Sequence, residues 1–207
     1  MAGIVLAGGK SIRMGRDKAS LLWDGRTLLD AVVARLGEVT HPVYVVASPA
    51  STCPAPHDTK VVHDIVMDAG PLAGIVTGLM AAGTGNHLVA ACDMPFLNAR
   101  VLQLLLQLVE GHDAAVPVVH GCLQPTCAAY SGRAVAHLRA RLNEGERALH
   151  RALESMDVLH VAQALLEEVD PRLLTFTNIN TPGDLARCKA VTTEPAATVF
   201  PADEAYS

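Results

Sequence analysis

The run Leu6-Ala7-Gly8-Gly9-Lys10-Ser11-Ile12-Arg13-Met14-Gly15-Arg16-Asp17-Lys18 follows a short apolar segment, Gly3–Leu6. Adjacent glycines let a backbone pass close to a ligand and adopt conformations that a Cβ forbids. Backbone N–H groups in such a loop can point at phosphate oxygens. Lys10, Arg13, Arg16 and Lys18 add four cations within nine residues. The combination suits a polyphosphate. The Lys18 ammonium is a mobile point charge, and the Arg13 guanidinium can take phosphate oxygens two at a time. The spacing is neither Gly-x-x-x-x-Gly-Lys-Ser/Thr nor Gly-x-Gly-x-x-Gly, so neither familiar nucleotide loop is present. From composition alone, a glycine loop with solvated basic residues is an equal alternative.

Further candidates lie along the chain. Asp93 follows a buried apolar run and precedes Met94-Pro95. Proline holds the residue before it extended, which fixes the chain direction there. A carboxylate at that point can hold magnesium, a hard cation that takes oxygen ligands and phosphates. It can equally accept backbone hydrogen bonds in a turn. Asn178 and Asn180 flank Ile179 on an extended segment, so period two puts them on one side, within reach of a metal or phosphates. As turn formers they would instead lead into Thr181, a helix cap before Pro182. Asp64 follows another strand and is either a site residue or a solvated loop carboxylate. Gly70-Pro71-Leu72-Ala73-Gly74 opens a helix whose partly positive end can face a base or an anion, or simply pack. Arg147 and Arg151 are spaced to share a helix face. They suit an acceptor phosphate, or pairing with Glu144, Glu146 or Glu154. Cys92 points away from Asp93 into the sheet, so it packs and is no nucleophile.

These residues need a frame. Strands are expected at Gly3–Leu6, Val43–Val46, Val61–Val62, His87–Ala91, Ala114–Val119, Thr126–Tyr130 and Val158–Leu159, the fifth and sixth of them able to pair, with Thr175–Ile179 extended. Helices are expected from Thr27 to Leu36 with Gly37 closing, 70–82, from Asn98 to about Val109, 132–142, 146–155 and 182–190. Strand–helix alternation predicts a mainly parallel sheet with helices on both faces and ligands at the carboxyl ends of the strands. The Gly8 loop, Asp64 and Asp93 all fall at such ends. Residues 1–190 form one expected domain, and the Pro/Ala/Thr-rich stretch 191–207 is an expected flexible tail.

Composition narrows the function classes. The 207 residues are half apolar, enough for one substantial core. A net charge of −5 argues against a nucleic-acid or membrane-surface binder. No apolar run approaches a membrane span. Met1 stands just ahead of the first strand, so no signal peptide is expected. Five cysteines without a Cys-x-x-Cys pair suggest neither disulfides nor zinc, and point to a cytoplasmic setting.

The opening run resembles the Leu-Ala-Gly-Gly-x-Ser-x-Arg-Met-Gly-x-Asp-Lys signature of molybdenum cofactor guanylyltransferases, members of the sugar-nucleotide-type nucleotidyltransferases. The resemblance continues through Gly70–Gly74, Cys92-Asp93-Met94-Pro95-Phe96, Gln124-Pro125, Gly145-Glu146-Arg147 and Asn178-Ile179-Asn180-Thr181-Pro182, covering roughly residues 1–190. It implies a three-layer αβα sandwich with a Rossmann-like sheet of the nucleotide-diphospho-sugar transferase type. The implied reaction moves GMP from GTP to a molybdopterin-type acceptor with release of pyrophosphate, using magnesium. Asp93, Lys18 and Arg13 take the catalytic roles. Leu6, Ala7, Gly8, Gly9, Lys18, Asp64, Gly74, Asp93, Asn178 and Asn180 line the nucleotide, and Asp93 with Asn180 is the implied metal set. The choice between Asn178 and Asn180 as second ligand stays open. Transient contacts with cofactor-delivery proteins or recipient molybdoenzymes are also implied.

Ala47 departs from the family, where an asparagine often follows the second strand; Ser48 is a substitute donor. The alternatives are cytidylyl transfer to the same cofactor, guanylyl transfer to another phosphate acceptor, and a non-enzymatic nucleotide-binding adaptor. Gly8-Gly9 favours the guanylyl branch, because the cytidylyl relatives generally carry Leu-Ala-Ala-Gly.

Overall fold

The computed structural model describes residues 1–8, 18–48, 56–64, 66 and 70–193. Strand β1 (Gly3–Leu6) is followed by a 3-10 turn at Lys18–Ser20 and a hairpin of β2 (Leu22–Trp23) and β3 (Arg26–Thr27). Helix α1 (Leu28–Gly37), β4 (Val43–Ala47), β5 (Thr59–His63), α2 (Gly70–Ala82), β6 (Asn86–Ala91) and α3 (Ala99–Leu108) come next. Then follow β7 (Ala114–Val119), β8 (Cys122–Leu123), β9 (Cys127–Ser131), α4 (Ala134–Asn143), α5 (Leu149–Leu153), β10 (Val158–Val161), α6 (Gln163–Glu167) and α7 (Pro182–Thr193).

The main sheet runs β10-β7-β9-β6-β1-β4-β5, with β8 paired to β7. β1 pairs in parallel with β4 and β6, β4 with β5, and β7 with β10. β9 is antiparallel to both β6 and β7. Alternation along the strands loads both faces. Val5, Val45, Leu88 and Ala90 pack toward α1, α3 and α6, whereas Ile4, Leu6, Val46 and Val89 pack toward α2, α4 and α5. This is the expected sandwich of helices around a mainly parallel sheet.

Helix starts follow local chemistry. Thr27 and Asp30 form a reciprocal capping box on α1, and Asn98 caps α3 through the Arg100 N–H at 2.9 Å. α2 lies unusually close to the sheet. A methyl on Gly78 would overlap Ile4, and one on Gly74 would reach Leu6 Cδ2 at 3.2 Å.

Several expectations need correction. Gly37 does not close α1: it is the last helical residue, without a positive φ, and Glu38 is the cap. The helix expected at 146–155 starts only at Leu149, because the Glu146 carboxylate takes the Arg147 and Ala148 N–H groups, both at 2.8 Å. Arg147 therefore precedes α5 and shares no helix face with Arg151. Thr175 and Phe176 are not extended: buried Asp170 takes the Thr175 N–H at 2.9 Å and turns Leu174–Phe176 into a 3-10 helix. The β2–β3 hairpin was not expected, although Asp24-Gly25, both at positive φ, is a strong two-residue hairpin signal. α7 extends to Thr193, past the boundary expected at 190. Among the described residues, no helix is long and apolar enough to cross a membrane.

Candidate active site at the strand rim

The carboxyl ends of β1, β4, β5 and β6 form one rim. Leu6 ends β1 between Val46 of β4 and Ala91 of β6. Backbone bonds continue just past the strands: Ala7 N–H to Val46 O at 2.8 Å, Asp64 N–H to Ala47 O at 3.1 Å, and Cys92 N–H to Leu6 O at 3.1 Å. Gly8 thus leaves the sheet between the strands that carry Asp64 and Asp93. Those two strands stand three spacings apart, roughly 14 Å at the usual interstrand distance. Asp64 and Asp93 therefore stand on opposite sides of Gly8 along the rim.

Gly8 is exposed, and a methyl on it would meet only the Ser48 backbone N, at 3.5 Å. That is ordinary contact, so the fold itself does not require glycine here. Gly9, Arg13 and the side chain of Lys18 lie outside the described residues, as do Lys10 and Arg16. The Lys18 backbone opens the 3-10 turn next to buried Ala19.

Asp64 is partly exposed just past β5. Its Oδ1 accepts from the Thr77 hydroxyl at 3.2 Å and from the Val66 N–H at 3.3 Å. Its Oδ2 lies 3.9 Å from the position a Gly74 Cβ would take. Gly74 thus seats α2 against Leu6 and beside the Asp64 carboxylate.

Asp93 is also partly exposed. Its carbonyl accepts from the Ile179 N–H at 2.9 Å, which ties the Asn178–Asn180 segment to the Asp93 turn. Ile179 is fully buried with Trp23, Leu28, Ala31 and Cys188, and Phe96 packs against this cluster. The Trp23 and Phe96 rings meet edge to face at 5.2 Å. This small cluster joins the hairpin after the first loop, the Asp93 turn and the asparagine segment into one body. Sequence periodicity did not reveal it.

The Asn178 Oδ1 is buried without a hydrogen-bond partner. Asn180 contributes its N–H to Asp184 Oδ2 at 2.9 Å. Thr181 and Asp184 complete a capping box at the start of α7. Burial works to raise the Asp184 carboxyl, but hydrogen bonds from Asn180 and Thr181 and the Arg187 charge together hold it below its ordinary value. The turn-former reading of this segment thus holds for Asn180 and Thr181 backbone, while Asn178 carries an unsatisfied oxygen. The Asp93 carboxylate and the Asn178 amide oxygen are the donor types that a hard divalent cation takes. No group of three or more His, Cys, Asp or Glu side chains with metal geometry occurs among the described residues.

A cleft of about 560 Å³ opens beside the rim, lined among others by Arg141, Glu144, Glu146, Arg147 and Arg151. It abuts the start of α2, where the Arg147 carbonyl lies 3.8 Å from the Gly70 Cβ position. Arg151 pairs with Glu146 at 3.6 Å and Arg141 with Glu144 at 2.7 Å. Arg147 Nη1 donates to the Leu142 and Glu146 carbonyls at 3.0 and 2.8 Å. The Ala148 and Arg147 N–H groups hold the Glu146 carboxyl below its ordinary value. Glu154 does not line the cleft, and Arg141, which does, was not singled out from sequence.

The chain resembles known proteins over most of its length. The "Molybdenum cofactor guanylyltransferase" of Desulfosudis oleivorans is 33% identical over 197 residues, covering 92% of this chain and 95% of that protein. The "Probable molybdenum cofactor guanylyltransferase" of Chloroflexus aggregans is 36% identical, covering 92% and 94%. Among solved structures, "Molybdopterin-guanine dinucleotide biosynthesis protein A" from Archaeoglobus fulgidus superposes with a TM-score of 0.80 at 29% identity, covering 93% of this chain and 99% of that one. The 2-C-methyl-D-erythritol 4-phosphate cytidylyltransferase of Thermus thermophilus, 20% identical with a TM-score of 0.70 over 91% of this chain and 97% of its own, shares the fold. The model of the MobA-like NTP transferase domain matches residues 3–160, and the chain belongs to that family.

Proposed function

We propose that this protein transfers GMP from GTP to a phosphate of the molybdenum–molybdopterin cofactor and releases pyrophosphate. The observation that carries this reading is the rim itself: Gly8 leaves the sheet between the strands that carry Asp64 and Asp93, and the Asp93 turn is hydrogen-bonded to the asparagine segment. The names of the relatives support the choice of nucleotide and acceptor.

In this reaction an acceptor phosphate oxygen attacks the α-phosphorus, a new P–O bond forms, and the bond to the bridging oxygen of the β-phosphate breaks. The protein does little covalent work; positioning and charge neutralisation dominate. Asp93, together with Asn178 or Asn180, would hold magnesium, which when bound neutralises charge on the phosphates. Lys18 and Arg13 offset further charge, and the amides of the Gly8-Gly9 loop cradle the phosphates. Asp64 and Gly74 face the nucleoside side of the rim. The cleft next to α2 carries three arginines against two glutamates, a positive excess that suits an anionic acceptor.

A cytoplasmic setting is part of the proposal. Among the described residues Cys92, Cys122, Cys127 and Cys188 form no disulfide, and burial pushes the Cys127 thiol up to about 12. Transient contact with proteins that deliver or receive the cofactor also belongs to it.

The test is a panel of nucleoside triphosphates incubated with molybdopterin-bound molybdenum and magnesium and scored for dinucleotide product. A guanine dinucleotide formed well ahead of the others is the expected outcome. A preference for CTP would move the assignment to cytidylyl transfer. Nucleotide binding without turnover would make the protein an adaptor.

A further inference from the structure

Thr77 is a polar residue in an otherwise apolar helix face. It sits on α2 between Gly74 and Gly78, it is only 5% exposed, and its neighbours Leu72, Ala73, Ile75, Val76 and Leu79 are all buried. The two glycines seat this part of α2 directly on β1 and β4. That close approach brings the Thr77 hydroxyl within 3.2 Å of Asp64 Oδ1. A buried hydroxyl is costly without a partner, and a hydrogen bond to a carboxylate is among the stronger ones.

We infer that Thr77 is a positioning residue for nucleotide recognition, acting through Asp64. The inference rests on the assignment of Asp64 to the nucleotide site. Asp64 stands just past the end of β5, an edge strand of the main sheet. Its carboxylate would sweep several rotamers if it were held only by its own chain. The Thr77 hydroxyl and the Val66 N–H both donate to Oδ1. One of these anchors belongs to a rigid helix, the other to the same loop as Asp64. The helix anchor thus sets the direction of the carboxylate relative to the sheet. With Oδ1 engaged, Oδ2 is the oxygen presented beside Gly74, at the start of the rim. A preset carboxylate loses little rotamer freedom when a ribose hydroxyl or base N–H binds it, and such preorganisation appears as affinity.

Thr77→Val removes the hydroxyl and keeps the branched shape, whereas Thr77→Ser keeps the hydroxyl. Calorimetry with GTP and magnesium, steady-state kinetics and melting temperature would be measured for both, for Asp64→Asn and for the Thr77→Val/Asp64→Asn double variant. Thr77→Val is expected to weaken GTP binding about tenfold, to raise KM far more than it changes kcat, and to melt close to the parent. Thr77→Ser is expected to bind nearly as the parent does. In the Asp64→Asn background the Thr77→Val effect should largely vanish, because the two act as one unit. Parent-like GTP affinity in a folded Thr77→Val variant, with Asp64→Asn impaired, would overturn the role of Thr77 and leave that of Asp64 standing. An undiminished Thr77→Val loss in the Asp64→Asn background would show that the effect bypasses the carboxylate, and would also overturn it. Parent-like affinity in Asp64→Asn would remove Asp64 from the nucleotide site, and the inference with it.

Discussion

At the scale of single residues, Asp93 and Gly8 make opposite kinds of demand. Asp93 offers a carboxylate at a strand end, beside a segment with an unsatisfied Asn178 oxygen. Asp93→Asn keeps the shape and removes the charge. Turnover with magnesium and GTP is expected to drop about 100-fold or more, roughly 2.7 kcal/mol of barrier. Near-parent turnover by a folded variant would separate Asp93 from the metal. Gly8 is different, since its surroundings accept a methyl: the nearest atom is the Ser48 backbone N at 3.5 Å. Gly8→Ala is therefore expected to melt within about 1 °C of the parent, in keeping with the small effects of surface substitutions. Its affinity for guanosine, GMP and GTP should fall together, because the methyl would intrude on the ligand and not on the protein. A variant that melts lower and binds guanine nucleotides normally would reverse that assignment. The signature glycine was legible in the sequence. That the fold leaves room for a side chain there was not, because this depends on what stands opposite the missing Cβ.

At the scale of elements, the seating of α2 links core packing to the rim. Gly78 faces Ile4 and Val46, with no room for a methyl. Overpacking of this kind costs about 1–3 kcal/mol. Gly78→Ala is expected to melt lower, by roughly 2–4 °C for each kcal/mol in a chain of this size. It should also weaken GTP binding, because lifting α2 moves Thr77 and Gly74 away from Asp64. Thermal melts paired with calorimetry check both halves. A destabilised variant with parent affinity would uncouple the helix from the site. The helix itself was plain from Gly70-Pro71 at one end and Gly83 at the other. Its hydrogen bond to Asp64, 13 residues back along the chain, depends on how near the sheet it rests.

At the scale of the whole molecule, His87 connects the beginning of the chain to the turn before β6. The Ala2 N–H donates to Nδ1 at 3.2 Å, so the ring proton sits on Nε2 and faces the Gly83 carbonyl at 3.2 Å. Burial lowers the pKa of His87 from 6.5, partly offset by the Gly83 carbonyl. The folded protein therefore holds this ring neutral where the unfolded chain begins to protonate it. Stability from this group is complete above about pH 6.5 and declines as pH falls from there toward the lower folded-state value. A melting temperature that falls between pH 7.5 and 5.5 is expected. His87→Gln, which keeps a donor and an acceptor without titrating, should flatten that slope. An equally steep slope in the variant would assign the effect to other groups.

Much of this protein was written locally. Apolar and β-branched runs marked the buried strands, Thr27, Asn98 and Thr181 marked helix starts, and the strand–helix rhythm set Gly8, Asp64 and Asp93 at strand ends. Each of these signals arises from contacts within a few residues, so a linear pattern carries it. Tertiary structure alone decided which distant groups meet. It joined Ile179 to Asp93, Trp23 to Phe96 and Thr77 to Asp64, set antiparallel β9 against β6, and put Arg141 beside Arg147 and Arg151. Those pairings follow from strand order and from how closely helices rest on the sheet. Both are settled by packing the whole core at once, and no periodicity along the chain encodes them.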